Sequence, residues 1–323
     1  MTVSAVVADL RRLAAWGALE LPRPAGGHTA DRHHALLELT RQHPVSVGRL
    51  AEAHTDALAI LAEAGRRADP DALYGVWASQ ATGEGVLLDL DDHSLHGTVS
   101  FCSGVGIVDR SLLSVVDDVG DPWLVDVGLS PAPTVRWSTG GWGTPALDDT
   151  LTGSVTFDGH RLDADALVGP PRWYLERAGF WPGACGPAAC WAGGAIGLVD
   201  AAERFLGEDR HRTEALGAMR AQAWGLRALL ARAGDEIDAR RGDPAGAHHR
   251  AVALRLLVER GCTGILDRFG QSFGPRPFVS DPEVAQRFAD VHLYLRQQHG
   301  QRDLVELGTA PPFEHVAIPV AVR

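Results

Sequence analysis

The feature of this sequence that most constrains its fold is a change of hydrophobic period in the middle of the chain. Residues 73–170 consist of short runs rich in Val, Leu, Trp and Phe, among them LYGVWAS, PWLVDVGLS and GSVTFDGHRL, and Gly, Asp, Ser and Pro separate the runs. Short apolar runs broken by such residues predict β-strands joined by turns. On both sides of this region the apolar residues recur three and four positions apart, which predicts helices.

We therefore predict an α+β fold in three parts: an N-terminal helical domain over residues 1–72, a central antiparallel β-barrel or sandwich domain over 73–170, and a C-terminal helical bundle with a tail over 171–323. Ligand pockets form preferentially where domains meet. We expect the functional site between the sheet and the bundle.

The local patterns give expected boundaries. The predicted helices are Asp9–Leu19, Asp31–Gln42, Val47–Arg66, Ala188–Leu206, Arg212–Ala233, Gly246–Phe269 and Asp281–Leu307. Asp31 is a plausible N-cap, residues 234–244 (GDEIDARRGDP) predict a polar loop, and residues 91–94 predict the turn of a hairpin.

Composition excludes some classes of protein. Of the 323 residues, 45% are apolar and 22% charged, which is typical of a globular protein. A net charge of −11 argues against a nucleic-acid partner, and no apolar run approaches the roughly 20 residues that cross a bilayer. The N-terminus does not read as a signal peptide, and the four cysteines form no CxxC pair. We expect a cytoplasmic protein with reduced thiols and no membrane partner.

We also expect no metal site. The only adjacent histidine pairs are His33-His34 and His248-His249, and neighbouring side chains on a helix diverge.

Four segments share a pattern with a known family. They are YGVWAS (Tyr74–Ser79), LHGTVSFCSGVG (Leu95–Gly106), TLTGSVTFDGHRLDADALVG (Thr150–Gly169), and the bundle segments GAIGLVDAAERFL (Gly194–Leu206) and FADVHLYLRQQHGQRDL (Phe288–Leu304). Their order and motifs resemble the acyl-CoA dehydrogenase family over nearly the whole chain, and the third segment is the most specific. The resemblance implies that family's fold and its FAD cofactor.

The second segment is where the resemblance implies contact with the flavin ring. Phe101 would lie against the isoalloxazine face, the Ser103 hydroxyl would hydrogen-bond near N5, and backbone N–H groups around Cys102 would contact the carbonyl side. The residues alone favour another interpretation, in which Phe101 and Cys102 are core residues of a strand and Ser103 belongs to a turn.

Other cofactor residues follow from the same resemblance. Trp77 occupies the family's Thr position, where it either stacks near the flavin or fills the core, and Ser79 is the nearest replacement hydroxyl. Arg212 matches an arginine that contacts the FAD pyrophosphate, although a solvated arginine is equally consistent. Gly270 and Gln271 match a turn that approaches the FAD of a neighbouring subunit, although a helix C-cap also explains the glycine.

The catalytic base of the family is missing from its usual place. Its glutamate position falls on Gln298, and an amide cannot take up a proton. Some members place the glutamate earlier in the bundle, near Pro182 here, where no acid lies closer in sequence than Glu176. His299 resembles the histidine of flavin-dependent monooxygenases of the same fold and could carry a proton, whereas its polar neighbours favour a solvent-exposed histidine.

Three functions remain open. The first is an FAD-dependent acyl-CoA dehydrogenase-like oxidoreductase that acts on an acyl thioester, bound to CoA or a carrier protein, with an electron-transfer flavoprotein as its partner. The second is a flavin-dependent monooxygenase with His299 as proton carrier. The third is a non-catalytic flavoprotein subunit of a hetero-oligomer. The resemblance also implies a homo-oligomer, either dimer or tetramer.

Overall fold

The computed structural model describes residues 2–78, 85–129, 132–298 and 300–310. Their order of helices, a sheet and helices confirms the α+β prediction. The helices are α1 (Val3–Ala15), α2 (Thr29–Gln42), α3 (Val45–Glu63), α4 (Trp173–Glu176), α5 (Phe180–Gly183), α6 (Gly186–Arg204), α7 (Arg210–Ala239), α8 (Pro244–Phe273), α9 (Arg276–Ser280), α10 (Pro282–Tyr294) and α11 (Gln301–Thr309). The strands are β1 (Tyr74–Trp77), β2 (Val86–Asp89), β3 (Ser94–Cys102), β4 (Arg110–Asp117), β5 (Pro122–Gly128), β6 (Val135–Ser138) and β7 (Gly153–Arg161).

The strands form one sheet in the order β1-β4-β2-β3-β7-β6, and β5 pairs with β4. β2 and β3 form the predicted hairpin, in which Asp89 pairs with Ser94. The prediction of an antiparallel β domain is wrong in this respect: the sheet is mixed, since β4 runs parallel to both β1 and β2. The alternating apolar pattern predicts strands but does not encode the direction in which two distant strands pair.

Two predicted helix boundaries are wrong for identifiable reasons. α2 begins at Thr29 after the N-cap residue His28, so Asp31 lies in the first turn. α7 continues to Ala239, through the first half of the predicted loop 234–244. Gly234 stays helical because α7 packs closely on α2 there, and a Cβ on this glycine would overlap the backbone of Ala30.

α6 is the centre of the helical core. It is buried over almost its whole length, it packs against α2 and α8, and small residues allow the close approach. Leu36 and Leu37 of α2 share this core with the bundle helices. The N-terminal helices and the bundle therefore bury a common set of side chains, and the division into three domains stays a prediction.

The predicted helix Asp281–Leu307 is interrupted. α10 ends at Tyr294, a short 3-10 turn covers Leu295–Gln297, and α11 begins at Gln301. Gly300 has φ of 60°, which breaks a helix and favours glycine. The interruption places Gln298 in an extended conformation between two helices. None of the helices in the described ranges has the length and apolarity to cross a bilayer.

Candidate functional site

The ends of β1 and β3 lie side by side. Trp77, the last residue of β1, is buried, and its indole Nε1 donates a hydrogen bond to the carbonyl oxygen of Ser103 at 3.0 Å. This contact places Trp77 in the core of the sheet and fixes the residue that follows β3. The proposed stacking of Trp77 on a flavin stays a prediction, and Ser79 lies outside the described residues.

Phe101 and Cys102 at the end of β3 point in opposite directions. Cys102 is fully buried, and its thiol lies 3.6 Å from the carbonyl oxygen of Val99. Phe101 is 67% exposed and has φ of 60°. The pairing of β3 with β7 shifts register between Val99 and Cys102, and such bulges redirect side chains. A non-glycine residue in this conformation is strained, and strain of this kind is found at ligand sites.

Hydrogen bonds connect Ser103 with both the sheet and the N-terminal helices. Its Oγ lies 3.0 Å from Thr152 Oγ1, and Arg49 of α3 donates to it at 3.4 Å. Thr152 contacts Thr150 at 2.8 Å, and Thr150 donates to the carbonyl oxygen of Leu147 at 2.6 Å. The Ser103 hydroxyl is therefore held in place at the junction of the sheet and α3.

One face of α3 carries charged side chains into the protein. Arg49, Glu52 and Asp56 follow one another at helical spacing. Glu52 is only 5% exposed, and an Arg49 nitrogen lies 3.8 Å from its carboxylate. Burial, and secondly the nearby Asp56, raises the pKa of Glu52 to about 7. Near neutral pH this carboxyl group can hold or release a proton.

α3 approaches α5 and α6 where glycines leave room for its carboxylates. A Cβ on Gly186 would lie 2.6 Å from Glu52 Oε1, and a Cβ on Gly183 would lie 3.0 Å from Asp56 Oδ1. Asp56 Oδ1 is buried and has no hydrogen-bond partner within the described ranges. Gly183 follows Pro182, near which the family resemblance places the alternative base. The fold thus brings an acid from α3 to a position that has none nearby in sequence.

Sequence reasoning missed Arg49, Glu52 and Asp56. The available signal was a polar stripe along a helix rich in Ala and Leu. A stripe of this kind normally faces solvent, so only the packing of α3 against α6 distinguishes a buried charged face from an exposed one.

Two buried aromatic rings, Tyr294 and Trp191, lie next to the charged face of α3. Tyr294, 1% exposed, meets Trp191 edge to face with centroids 6.1 Å apart. The Arg49 guanidinium lies 5.5 Å from the Tyr294 ring centroid, and that of Arg255 lies 4.7 Å from the Trp191 ring centroid. Burial raises the pKa of Tyr294 well above its ordinary value, so the phenol keeps its proton. Within the described chain, the Tyr294 hydroxyl and Trp191 Nε1 are buried without a hydrogen-bond partner.

Arg255, which lies over the Trp191 ring, also contacts the backbone next to Gln298. Arg255 donates to the carbonyl oxygen of Gln297 at 3.3 Å, and Gln298 Nε2 donates to Asp303 Oδ2 at 2.6 Å. Gln298 Oε1 is buried with no partner among the described residues. The catalytic role of Gln298 stays a prediction, and His299 lies outside the described residues.

The remaining predicted residues lie around the start of α7 and the end of α8. Arg212 donates to the carbonyl oxygen of Phe205 at 3.1 Å, and its guanidinium lies 5.9 Å from the Phe273 ring centroid. Gly270 is inside α8, whose C-cap is Gly274, so the C-cap explanation for Gly270 is wrong. Gln271 is exposed. Pyrophosphate binding by these residues stays a prediction.

The side chains at the ends of β1 and β3 are of the kinds that can contact a planar heteroaromatic group such as a flavin ring. Phe101 offers an exposed aromatic face and Ser103 offers a fixed hydroxyl. The buried Tyr294 hydroxyl and Gln298 Oε1 supply a donor and an acceptor on the helical side, and buried polar atoms normally have a partner.

No protein-family model matches the chain, and no curated protein matches its sequence. Solved structures do match its fold. FMN-bound TdsC from Paenibacillus sp. A11-2, a dibenzothiophene monooxygenase, superposes with a TM-score of 0.74 at 16% identity, covering 95% of this chain and 96% of the other. Nitrososynthase from Micromonospora carbonacea var. africana gives 0.73 at 18% identity, covering 92% and 87%. Methanesulfinate monooxygenase MsuC from Pseudomonas fluorescens gives 0.69 at 16% identity, covering 95% and 94%.

Identities this low establish a shared architecture and leave the chemistry to the residues of each chain. The chain has the acyl-CoA dehydrogenase fold.

Proposed function

We propose that this chain is a flavin-dependent monooxygenase that uses FMN and dioxygen on a polar substrate. The observation that carries the proposal is the charged face of α3, on which Glu52 is buried between the half-buried Arg49 and Asp56, and Arg49 contacts both Ser103 and Tyr294. A fatty acyl chain needs an apolar lining, because buried charges without partners destabilise a complex. A substrate with polar or charged groups can pair with these side chains instead.

The residue at position 298 also favours a monooxygenase. A dehydrogenase of this fold takes the α-proton of its substrate with a carboxylate. Gln298 has no proton-accepting group, and its amide nitrogen is hydrogen-bonded to Asp303. Oxygenation does not require a base at that position, so the substitution is compatible with a monooxygenase.

FMN is preferred to the FAD expected from the family. The solved structures of TdsC include complexes with FMN. In this chain the arginine predicted to hold the FAD pyrophosphate is engaged internally, since Arg212 donates to Phe205 and lies 3.7 Å from the Asp209 carboxylate. FMN has no pyrophosphate and does not need this arginine.

A bound, reduced flavin would supply the electrons that activate dioxygen. The residues of this chain then have separate roles. Phe101 packs on the ring. The Ser103 hydroxyl, whose own proton goes to Thr152, accepts a hydrogen bond from an N–H of the reduced ring. Arg49 and Glu52 orient the polar group of the substrate, and the Glu52 carboxyl group, with a pKa of about 7, can hold or release a proton near neutral pH. Tyr294, protonated and buried, donates a hydrogen bond toward the ring or the substrate.

A binding experiment tests the cofactor. Purified protein is titrated with FMN and with FAD, oxidised and reduced, and the affinity is read from flavin fluorescence and absorbance. We expect one FMN per chain and weaker binding of FAD. Failure to bind either flavin would contradict the proposal.

An acyl-thioester dehydrogenase is the second candidate, because Glu52 is a buried carboxylate with a pKa of about 7, a value suited to a base at neutral pH. The two functions differ in the absence of oxygen. If the flavin-loaded protein is bleached by a mixture of acyl-CoAs anaerobically, and Glu52→Gln abolishes the bleaching, the chain is a dehydrogenase with Glu52 as its base. A monooxygenase leaves the flavin oxidised under these conditions.

A further inference from the structure

A histidine pair meets a carboxylate on the side of the bundle formed by α8 and α11. His248 and His249 lie near the start of α8, and Glu306 lies in α11. Each can present one ligand atom, and the three atoms lie within 4.8 Å of one another. All three side chains are half-buried. Among the described residues this is the group whose donor atoms converge in the manner of a metal site.

The ring of His248 contacts two other rings. It stacks on Trp181 with the centroids 3.6 Å apart and an interplanar angle of 24°. It is also nearly parallel to the ring of His249, with the centroids 5.6 Å apart. The side chains of neighbouring helical residues usually diverge, but here α11 places the Glu306 carboxylate 2.9 Å from His248 Nε2. The expectation that this histidine pair is a poor metal site did not include the acid from α11.

We propose that His248, His249 and Glu306 bind a divalent transition-metal ion such as Zn²⁺, with water completing the coordination. Two imidazoles and a carboxylate form a ligand set that Zn²⁺ uses in proteins. Zn–N and Zn–O bonds of about 2.0–2.2 Å put ligand atoms about 3.3 Å apart in a tetrahedron. The three donor atoms lie within 4.8 Å of one another, so they must approach by at most about 1.5 Å, and the metal would take the place of the hydrogen between His248 Nε2 and the Glu306 carboxylate.

The metal would also connect two helices that hold the Gln298 segment. α8 carries Arg255, which donates to the carbonyl oxygen of Gln297, and α11 carries Asp303, which accepts from Gln298. A metal bound between His248 and Glu306 therefore fastens α11 to α8 beside the interruption of the helix. The proposal does not depend on the flavin function, because the site is assembled from the bundle alone.

Metal-free protein without flavin is titrated with Co²⁺, whose visible absorption reports ligand geometry, and Zn²⁺ then displaces it. We expect one equivalent per chain, and at least a tenfold loss of affinity in His249→Ala and in Glu306→Gln. The control His292→Ala removes an exposed histidine from α10 and should bind as the wild type does. Circular dichroism verifies that each variant is folded.

A second readout is hydrogen exchange in α11, which Zn²⁺ should slow in the wild type and leave unchanged in Glu306→Gln. The proposal is overturned if no stoichiometric binding occurs, or if the two variants bind the metal as tightly as the wild type does. A loss of binding in His292→Ala of the same size would also overturn it, because the site would then lie elsewhere.

Discussion

Phe101 and Cys102 demonstrate how two neighbouring residues can have opposite roles. Both fit the alternating pattern of a strand, which predicts that one of them faces the core. The bulge before Cys102 and the positive φ of Phe101 decide which one does. Neither feature is encoded in hydrophobicity. The residue pattern alone favoured a core position for both residues, which is confirmed for Cys102 and wrong for the exposed Phe101.

The exposed ring of Phe101 gives a prediction about flavin affinity and stability. Replacing Phe101 with Gly removes an exposed ring and relieves a backbone conformation that costs L-residues roughly 1–2 kcal/mol. We expect the free energy of unfolding to change by no more than about 1 kcal/mol, because the greater freedom of Gly in the unfolded chain offsets this relief. Flavin affinity should fall about tenfold, since a lost aromatic contact is worth about 1–1.5 kcal/mol. Urea unfolding and FMN titration measure the two effects.

The matched control is Trp224→Ala, which removes an aromatic ring of similar exposure from α7. It should leave FMN affinity unchanged. If Phe101→Gly binds FMN as well as the wild type does, Phe101 does not contact the flavin.

Glu52 gives a pH-dependent prediction. Folding raises its pKa from 4.5 to about 7. The folded protein binds the Glu52 proton more tightly than the unfolded chain does. The contribution of Glu52 to the free energy of unfolding is therefore fully present below about pH 4.5 and is lost as the pH rises through about 7. In Glu52→Gln this loss disappears. The variant should therefore gain stability relative to the wild type, on the order of 1–3 kcal/mol, between about pH 4.5 and about pH 8.

Urea unfolding at the two ends of this pH range measures the difference, and Glu214→Gln on the exposed face of α7 controls for the loss of one negative charge. A difference between Glu52→Gln and the wild type that does not change with pH would show that folding leaves the pKa of Glu52 where it was.

At the scale of whole elements, helix positions could be predicted well and helix ends poorly. Spacings of three and four residues identify α2, α3, α6, α7 and α8, because each buries an apolar stripe. The ends depend on contacts between distant parts of the chain. Gly234 illustrates this, since it reads as a loop residue in sequence but is where α7 meets α2. The charged face of α3 could not be predicted for the same reason.

The close contact between α6 and α2 gives a prediction about the free energy of unfolding. A Cβ on Gly193 would overlap the carbonyl oxygen of Leu37, whereas a Cβ on Gly217 in α7 meets nothing within 4 Å. Gly193→Ala should therefore force the two helices apart and lower the free energy of unfolding by about 1–3 kcal/mol. Gly217→Ala should raise it by about 0.5–1 kcal/mol, because Ala is the better helix former. Equal effects of the two substitutions in urea unfolding would refute this account of the helical core.

For the whole molecule, the order of helical, strand and helical periods was sufficient to predict the α+β class, whereas the expected family fold came from the resemblance of four segments. Burial of apolar stripes depends on their period, and structures 16–18% identical to this chain share its architecture. The site is less predictable because it combines a strand end, one face of α3 and the interruption after α10. Those three parts are far apart in sequence and come together only through tertiary packing.

If the proposed monooxygenase function is correct, the chain binds reduced FMN and alters the reaction of this flavin with dioxygen. To measure this, anaerobically reduced FMN and the protein are mixed with air-saturated buffer, and the return of oxidised-flavin absorbance is followed. We expect the protein to change the rate of reoxidation from that of free FMN, the effect to saturate at one equivalent, and Phe101→Gly to weaken it. A rate identical to that of free FMN at saturating protein would show that the chain does not act on reduced FMN.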